Sequence, residues 1–166
     1  MIWKAQYYFE IDSLDLAMNG DGNYLGLLEI ADKYSGTPSG ELASFYLGSI
    51  MMQKGDHEAA LTYYKDADLE DDVLRAMAVG NQGDALVELG RADEALGQFE
   101  KAADLTENEF TTPMYLMKAG LIHQQKGDWK SAAKVYRRVA KDYPLTPDGS
   151  VAKKNAARAE EKAAQG

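Results

Sequence analysis

The segment Ala119-Gly120-Leu121-Ile122-His123-Gln124-Gln125-Lys126-Gly127-Asp128-Trp129-Lys130-Ser131-Ala132-Ala133-Lys134-Val135-Tyr136-Arg137-Arg138-Val139 decides the fold. Gly120 lies inside an apolar helical pattern, where glycine costs about 1 kcal/mol relative to alanine. That cost is tolerable where the missing side chain lets another helix approach. Seven residues on, Gly127 suits the left-handed residue that closes a helix. Asp128 follows as the N-cap of a second helix, its carboxylate accepting from the free N–H groups of the first turn. Ala132, Tyr136 and Val139 then fall on one helical stripe, small-large-small. The segment reads as two antiparallel helices in close contact.

The same grammar occurs twice upstream. One copy runs Leu47-Gly48, Met51, Gly55-Asp56, Ala60, Tyr64, Ala67; the other runs Gln82-Gly83, Leu86, Gly90-Arg91, Ala95, Phe99, Ala102. The turn glycines Gly55, Gly90 and Gly127 are 35 and 37 residues apart, with identical spacing inside each copy. Arg91 is a poorer cap than aspartate, so the middle turn is expected to be the weakest. Repetition at this period signals stacked units that bury their apolar faces on one another.

This pattern resembles the tetratricopeptide repeat family, a helix-turn-helix unit of about 34 residues. The resemblance spans Glu41 to about Thr146 and implies an all-α, right-handed solenoid of antiparallel helix pairs with a C-terminal capping helix. The repeats are placed at 41–74, 76–109 and 113–146. Only the third carries the family's closing proline, Pro144; Asp72 and Glu107 stand at that place in the others.

The flanks read as helical too, giving about nine helices in one domain of 166 residues. Trp3 to Met18 has a helix-period apolar face, Asn19 to Asn23 is a glycine-rich turn, and Tyr24 to Tyr34 is a second helix. Together, residues 1–38 form a degenerate pair. Its end, Tyr34 through Pro38 and Gly40, parallels Tyr143 through Pro147 and Gly149. Thr112-Pro113 reads as a cap followed by a first-turn proline. The alanine-rich segment from Ser150, within 148–165, fits a terminal helix whose outer face meets water.

Composition narrows the function. Hydrophobic residues make up 45% and charged residues 27%, as in a globular chain. There is no cysteine, which excludes disulfides, thiolate metal sites and cysteine nucleophiles. The formal net charge of −9 argues against a nucleic-acid partner, which needs a basic footprint. That charge is uneven: residues 126–166 hold ten basic and five acidic residues, net +5, and residues 1–125 hold eight and twenty-two, net −14. Either these are solvated helix faces, or the basic end meets an acidic partner or membrane headgroups.

Catalytic and metal chemistry find little support. His57 reads as an exposed residue after the Gly55-Asp56 turn, and His123 as a packing residue on a first helix. No nucleophile–base–acid set can be nominated. Read as an EF-hand loop from Asn19, the turn would put Tyr24 where glycine is needed and Ile30 where a bidentate glutamate is needed, so it is a turn. The acidic run Asp66, Asp68, Glu70, Asp71, Asp72 reads as a solvated loop. No phosphate or dinucleotide fingerprint occurs. No cofactor or metal is expected, and no enzymatic activity.

The resemblance implies instead that the first helix of each repeat lines a concave groove. Its candidates are Leu42, Phe45, Ser49 and Met52; Met77, Asn81, Asp84 and Glu88; and Met114, Met117, Lys118, Leu121 and Gln125. Family members that grip a terminal carboxylate use lysine and asparagines in this wall. Phe45 and Ser49 occupy those places in the first repeat, against that role. The wall is apolar and rich in methionine, whose flexible, polarizable side chain adapts to varied surfaces. A protein or peptide segment is therefore the expected partner, with Asp84 and Lys118 fixing its direction. The same residues could instead fill core between repeats, receive the chain's own first helix, or make a homodimer.

A second resemblance rests on the Tyr7-Tyr8-Phe9 helix, the Asn19-to-Asn23 turn and Glu109 to Pro113. These are similar to bacterial envelope proteins, among them an ancillary subunit of the translocation machinery, in which one membrane-spanning helix precedes a tetratricopeptide-like domain. Ile2-Trp3-Lys4-Ala5 enters the apolar pattern without a cap, as in a chain that continues upstream of Met1. That resemblance implies a domain on the periplasmic side of the inner membrane, touching it only through an upstream segment; the cytoplasm is the other location considered.

Overall fold

A computed structural model describes residues 2–165. The described residues form ten α-helices and fall into two compact units, 2–90 and 91–165.

The first unit holds α1 (Trp3–Glu10), α2 (Leu14–Asn19), α3 (Leu27–Lys33), α4 (Pro38–Lys54), α5 (His57–Asp66) and α6 (Asp72–Glu88). The expected helix from Trp3 to Met18 is two helices. Asp12 adopts φ 58°, a conformation that aspartate tolerates better than most residues. Ser13 N–H then reaches back to the Tyr8 carbonyl at 2.8 Å, closing α1. The helix expected over Tyr24 to Tyr34 begins only at Leu27. Ahead of it, Gly20 and Leu25 form an isolated antiparallel bridge, and the Asp21 carboxylate accepts from the N–H groups of Asn23 and Tyr24 at 2.9 Å each. Ala5, Ala17, Leu27, Ile30, Ala43, Leu47 and Ile50 make the core beneath these helices.

An aromatic cluster closes this end of the unit. The Lys4 ammonium lies 4.8 and 4.9 Å from the ring centroids of Tyr7 and Tyr8, and 5.7 and 6.0 Å from those of Trp3 and Tyr24. The ring quadrupoles attract the cation. The Tyr8 hydroxyl donates to Asp21 at 2.6 Å. That bond is the largest influence pushing the Tyr8 pKa up to about 12, and it is also the largest holding the Asp21 carboxyl below its ordinary value. The glycine-rich turn is thus fastened to α1.

The α4–α5 pair follows the sequence grammar. Thr37 caps α4, Gly55 takes φ 77°, and Asp56 caps α5 by accepting from Ala59 N–H at 3.1 Å. A Cβ on Gly48 would come within 2.6 Å of the Tyr64 ring. The glycine is therefore what lets α5 lie against α4.

The second unit holds α7 (Ala92–Leu105), α8 (Thr111–Gln125), α9 (Trp129–Asp142) and α10 (Pro147–Gln165). Arg91, ahead of α7, makes no side-chain cap bond. Gly127 takes φ 75° and Asp128 caps α9 through Ser131 N–H at 3.1 Å. Ala132, Tyr136 and Val139 are all buried, and a Cβ on Gly120 would meet the Tyr136 ring at 2.5 Å.

Thr112 does not cap α8. The helix starts at Thr111, with Thr112 and Pro113 buried in its first turn. Asn108 does the capping: its carbonyl oxygen accepts from Phe110 and Thr111 N–H at 2.8 and 2.7 Å, and its amide donates to Thr111 Oγ1 at 2.7 Å. Thr112 Oγ1 is thereby left to donate to the Thr106 carbonyl at 2.8 Å. The last helix begins at Pro147 rather than near Ser150, because Thr146 Oγ1 accepts from Gly149 N–H at 3.0 Å. It buries Gly149, Ala152, Ala156 and Ala159 and turns its lysines outward.

Candidate functional site

In the first unit, the wall residues come from α4 and α6. Leu42, Ser49, Met52, Met77, Asn81 and Asp84 are half-buried. Phe45 is only 9% exposed, its ring edge-on to Tyr64 and Tyr46 at 5.9 and 6.1 Å between centroids. It is packing for the α4–α5 pair, not open wall. Ser49 Oγ donates to the Phe45 carbonyl at 3.2 Å and accepts from the Tyr64 hydroxyl, also at 3.2 Å. Asn81 bonds the same hydroxyl, and Gln82 donates to the Tyr64 carbonyl at 3.2 Å. Burial raises the Tyr64 pKa, and the bonds from Ser49 and Asn81 partly offset this. The polar groups expected to greet a partner thus serve an internal aromatic. Sequence reading could not tell these uses apart, since both place Ser49 and Asn81 on one side of their helices.

In the second unit, the wall residues come from α8. Met114, Met117 and Lys118 are half-buried and Leu121 is 47% exposed. The Lys118 ammonium lies 5.5 and 5.6 Å from the centroids of Phe99 and Tyr115, whose rings stack at 6.1 Å. Lys118 and Asp84 are both already engaged, so neither waits as a free charge for a partner. The other two positions of the reading, Glu88 and Gln125, are exposed at the ends of α6 and α8.

Residues 115–146 match the tetratricopeptide repeat family. The match covers all of α9 and α8 from Tyr115, the pair joined by Gly127 and Asp128 and packed through Gly120 and Tyr136. The fold is all-α and tetratricopeptide-like, and repeats of this family mediate contacts between proteins. No curated protein matches the chain.

The histidines do not form a site. His57, expected at the surface, is half-buried at the start of α5, with Nδ1 out of water and without a hydrogen-bond partner among the described residues. His123 is half-buried as expected, with Nδ1 3.4 Å from Asp128 and Nε2 3.9 Å from Glu100. No group of three or more histidine and carboxylate side chains among the described residues could hold a metal ion. Part of the acidic run has a structural use: Asp71 caps α6 through Leu74 N–H at 2.9 Å, and Asp72 pairs with Arg75 at 3.3 Å. No helix among the described residues is long and apolar enough to cross a membrane. The reading of the chain upstream of Met1 lies outside the described residues.

Proposed function

We propose that this protein is a non-catalytic scaffold that binds a polypeptide segment through apolar first-helix faces. The observation that carries the reading is the α8 face, where Met114, Met117 and the 47%-exposed Leu121 remain incompletely covered. Met52, Met77 and Leu42 offer similar half-covered surface in the other unit. Methionine suits such a surface because its three rotatable bonds let one wall fit more than one segment. Phe45 has no part in it, being core.

Photocrosslinking tests this. A crosslinker at position 117 or 121 should capture a partner polypeptide from the native cell, identified by mass spectrometry. Purified partner should then bind Met117→Glu and Leu121→Glu variants at least tenfold more weakly. Folded variants that bind as well as the wild type would remove the wall. Concentration-dependent dimerisation abolished by Leu121→Glu would instead assign the face to a second copy. An envelope location is supported by the sequence resemblance of the Tyr7–Phe9 helix and its turn. Cell fractionation of the full-length product tests it: recovery in cytosol would reject the periplasmic assignment.

A further inference from the structure

Two pockets in this protein share one architecture and carry opposite charge. Each lies beside a Tyr-x-x-Thr-Pro-x-Gly turn, Tyr34 to Gly40 and Tyr143 to Gly149, which are 143 − 34 = 109 residues apart. Thr37 Oγ1 donates to the Tyr34 carbonyl at 2.7 Å and accepts from Gly40 N–H at 3.3 Å; Thr146 repeats both bonds at 2.9 and 3.0 Å. In each, a Cβ on the glycine would strike the tyrosine carbonyl. The pocket beside the first turn has about 370 Å³ and that beside the second about 460 Å³. The same 109-residue offset carries Asp32 onto Lys141 and Ser44 onto Lys153. The backbone is constant, so side chains alone set the sign.

The first pocket is lined by Asp32, Glu41 and Asp66, with Ser35, Ser44 and Tyr63 among them. None of the three carboxylates has an ion-pair partner among the described residues. Ser44 is only 7% exposed, and no hydrogen bond of its hydroxyl is found among the described residues. By contrast, Ser49 on α4 and Thr62 on α5 bond back to carbonyls of their own helices at 3.2 and 3.0 Å. Ser44 lines the pocket, so its hydroxyl is open there to a partner from outside. The carboxylates are not gathered closely enough to hold a metal ion.

We propose that this α3–α4–α5 pocket receives an arginine side chain of a partner polypeptide. The guanidinium spreads five donors over a plane, matching several separated acceptors where a small cation would match one. The net charge of −14 over residues 1–125 (8 − 22) steers cations toward this part of the chain. A second copy is disfavoured because its basic counterpart is itself a hollow, and its Arg137 is paired with Glu160 at 2.7 Å. The pocket does not draw on the apolar wall.

The test is an NMR titration of the full chain with a blocked Gly-Arg-Arg-Gly peptide and with its citrulline equivalent, which is neutral and nearly the same shape. The arginine peptide should give saturable shifts at the Ser35, Glu41 and Ser44 amides. Glu41→Gln and Asp32→Asn should each weaken it by roughly tenfold, the loss of about one charge-assisted contact. Asp66→Asn serves if either variant fails to fold. Glu161→Gln, exposed on α10, and Met117→Glu, in the wall, should bind as the wild type does, which separates failure here from failure of the wall. Equal binding of the citrulline peptide, equal weakening by Glu161→Gln, or unsaturated shifts spread over the acidic surface would overturn the proposal. Self-association abolished by Lys153→Glu would also overturn it, in favour of a second copy.

Discussion

Replacing Gly120 by alanine sets two effects of opposite sign against each other. Alanine in a helix interior is favoured over glycine by about 0.8–1.0 kcal/mol. At position 120, however, the new Cβ would lie 2.5, 2.8 and 2.9 Å from three carbons of the Tyr136 ring. That ring is only 1% exposed, so it has little room to withdraw. Overpacking of this kind costs typically 1–3 kcal/mol, and a rigid aromatic neighbour belongs near the upper end, leaving a net loss of about 1–2 kcal/mol after the helix gain. Gly97 supplies the control. It lies inside α7 of the same unit, is exposed, and nothing stands within 4 Å of its would-be Cβ. Gly97→Ala should therefore stabilise by about 0.5–1 kcal/mol. Urea unfolding followed by Trp129 fluorescence in a Trp3→Phe background reads this unit, since the chain has two tryptophans. If Gly120→Ala stabilises as much as Gly97→Ala, the close helix approach is not why position 120 is glycine.

Other perturbations give further outcomes. Asn108→Ala strips the α8 cap and leaves buried Thr111 short of a partner for both its N–H and its hydroxyl; unfolding should show a loss of about 1–3 kcal/mol, and a loss below about 0.5 kcal/mol would contradict the capping role. Ultraviolet titration should find Tyr8 ionising near pH 12, returning toward its ordinary 10 in Asp21→Asn. Because the folded pKa is raised, the bond's contribution to stability is complete below pH 10 and fades as pH rises toward 12; an unchanged Tyr8 titration in the variant would refute the assignment. Asp128 has a carboxyl pKa lowered first by Ser131, so its cap stabilises fully above the ordinary value of 3.8 and loses effect as pH falls through the depressed one. The melting-temperature gap between wild type and Asp128→Ala should accordingly be present at pH 7 and close in strong acid; a gap that persists there would show that charge plays no part.

Much of the fold was legible because its rules act over short distances. Gly55 and Gly127 adopt the left-handed conformation their spacing required, and Asp56 and Asp128 cap the helices that follow. The stripe of Ala132, Tyr136 and Val139 is buried as its period demanded. Each of these depends on residues a few positions apart, which one sequence displays directly.

Tertiary structure decided what depends on distant neighbours. The break at Asp12 is settled by turn bonds that hydrophobic period cannot register, and the capping of α8 by Asn108 rather than Thr112 depends on a knot of side chains around one loop. Phe45 and Met117 read alike as wall residues, yet Phe45 has aromatic rings on two sides and Met117 is only half-covered. Asp32, Glu41 and Asp66 are 34 positions apart from first to last and line one hollow. Helix period tells which side chains share a face; which faces are covered is set by the packing of other helices against them.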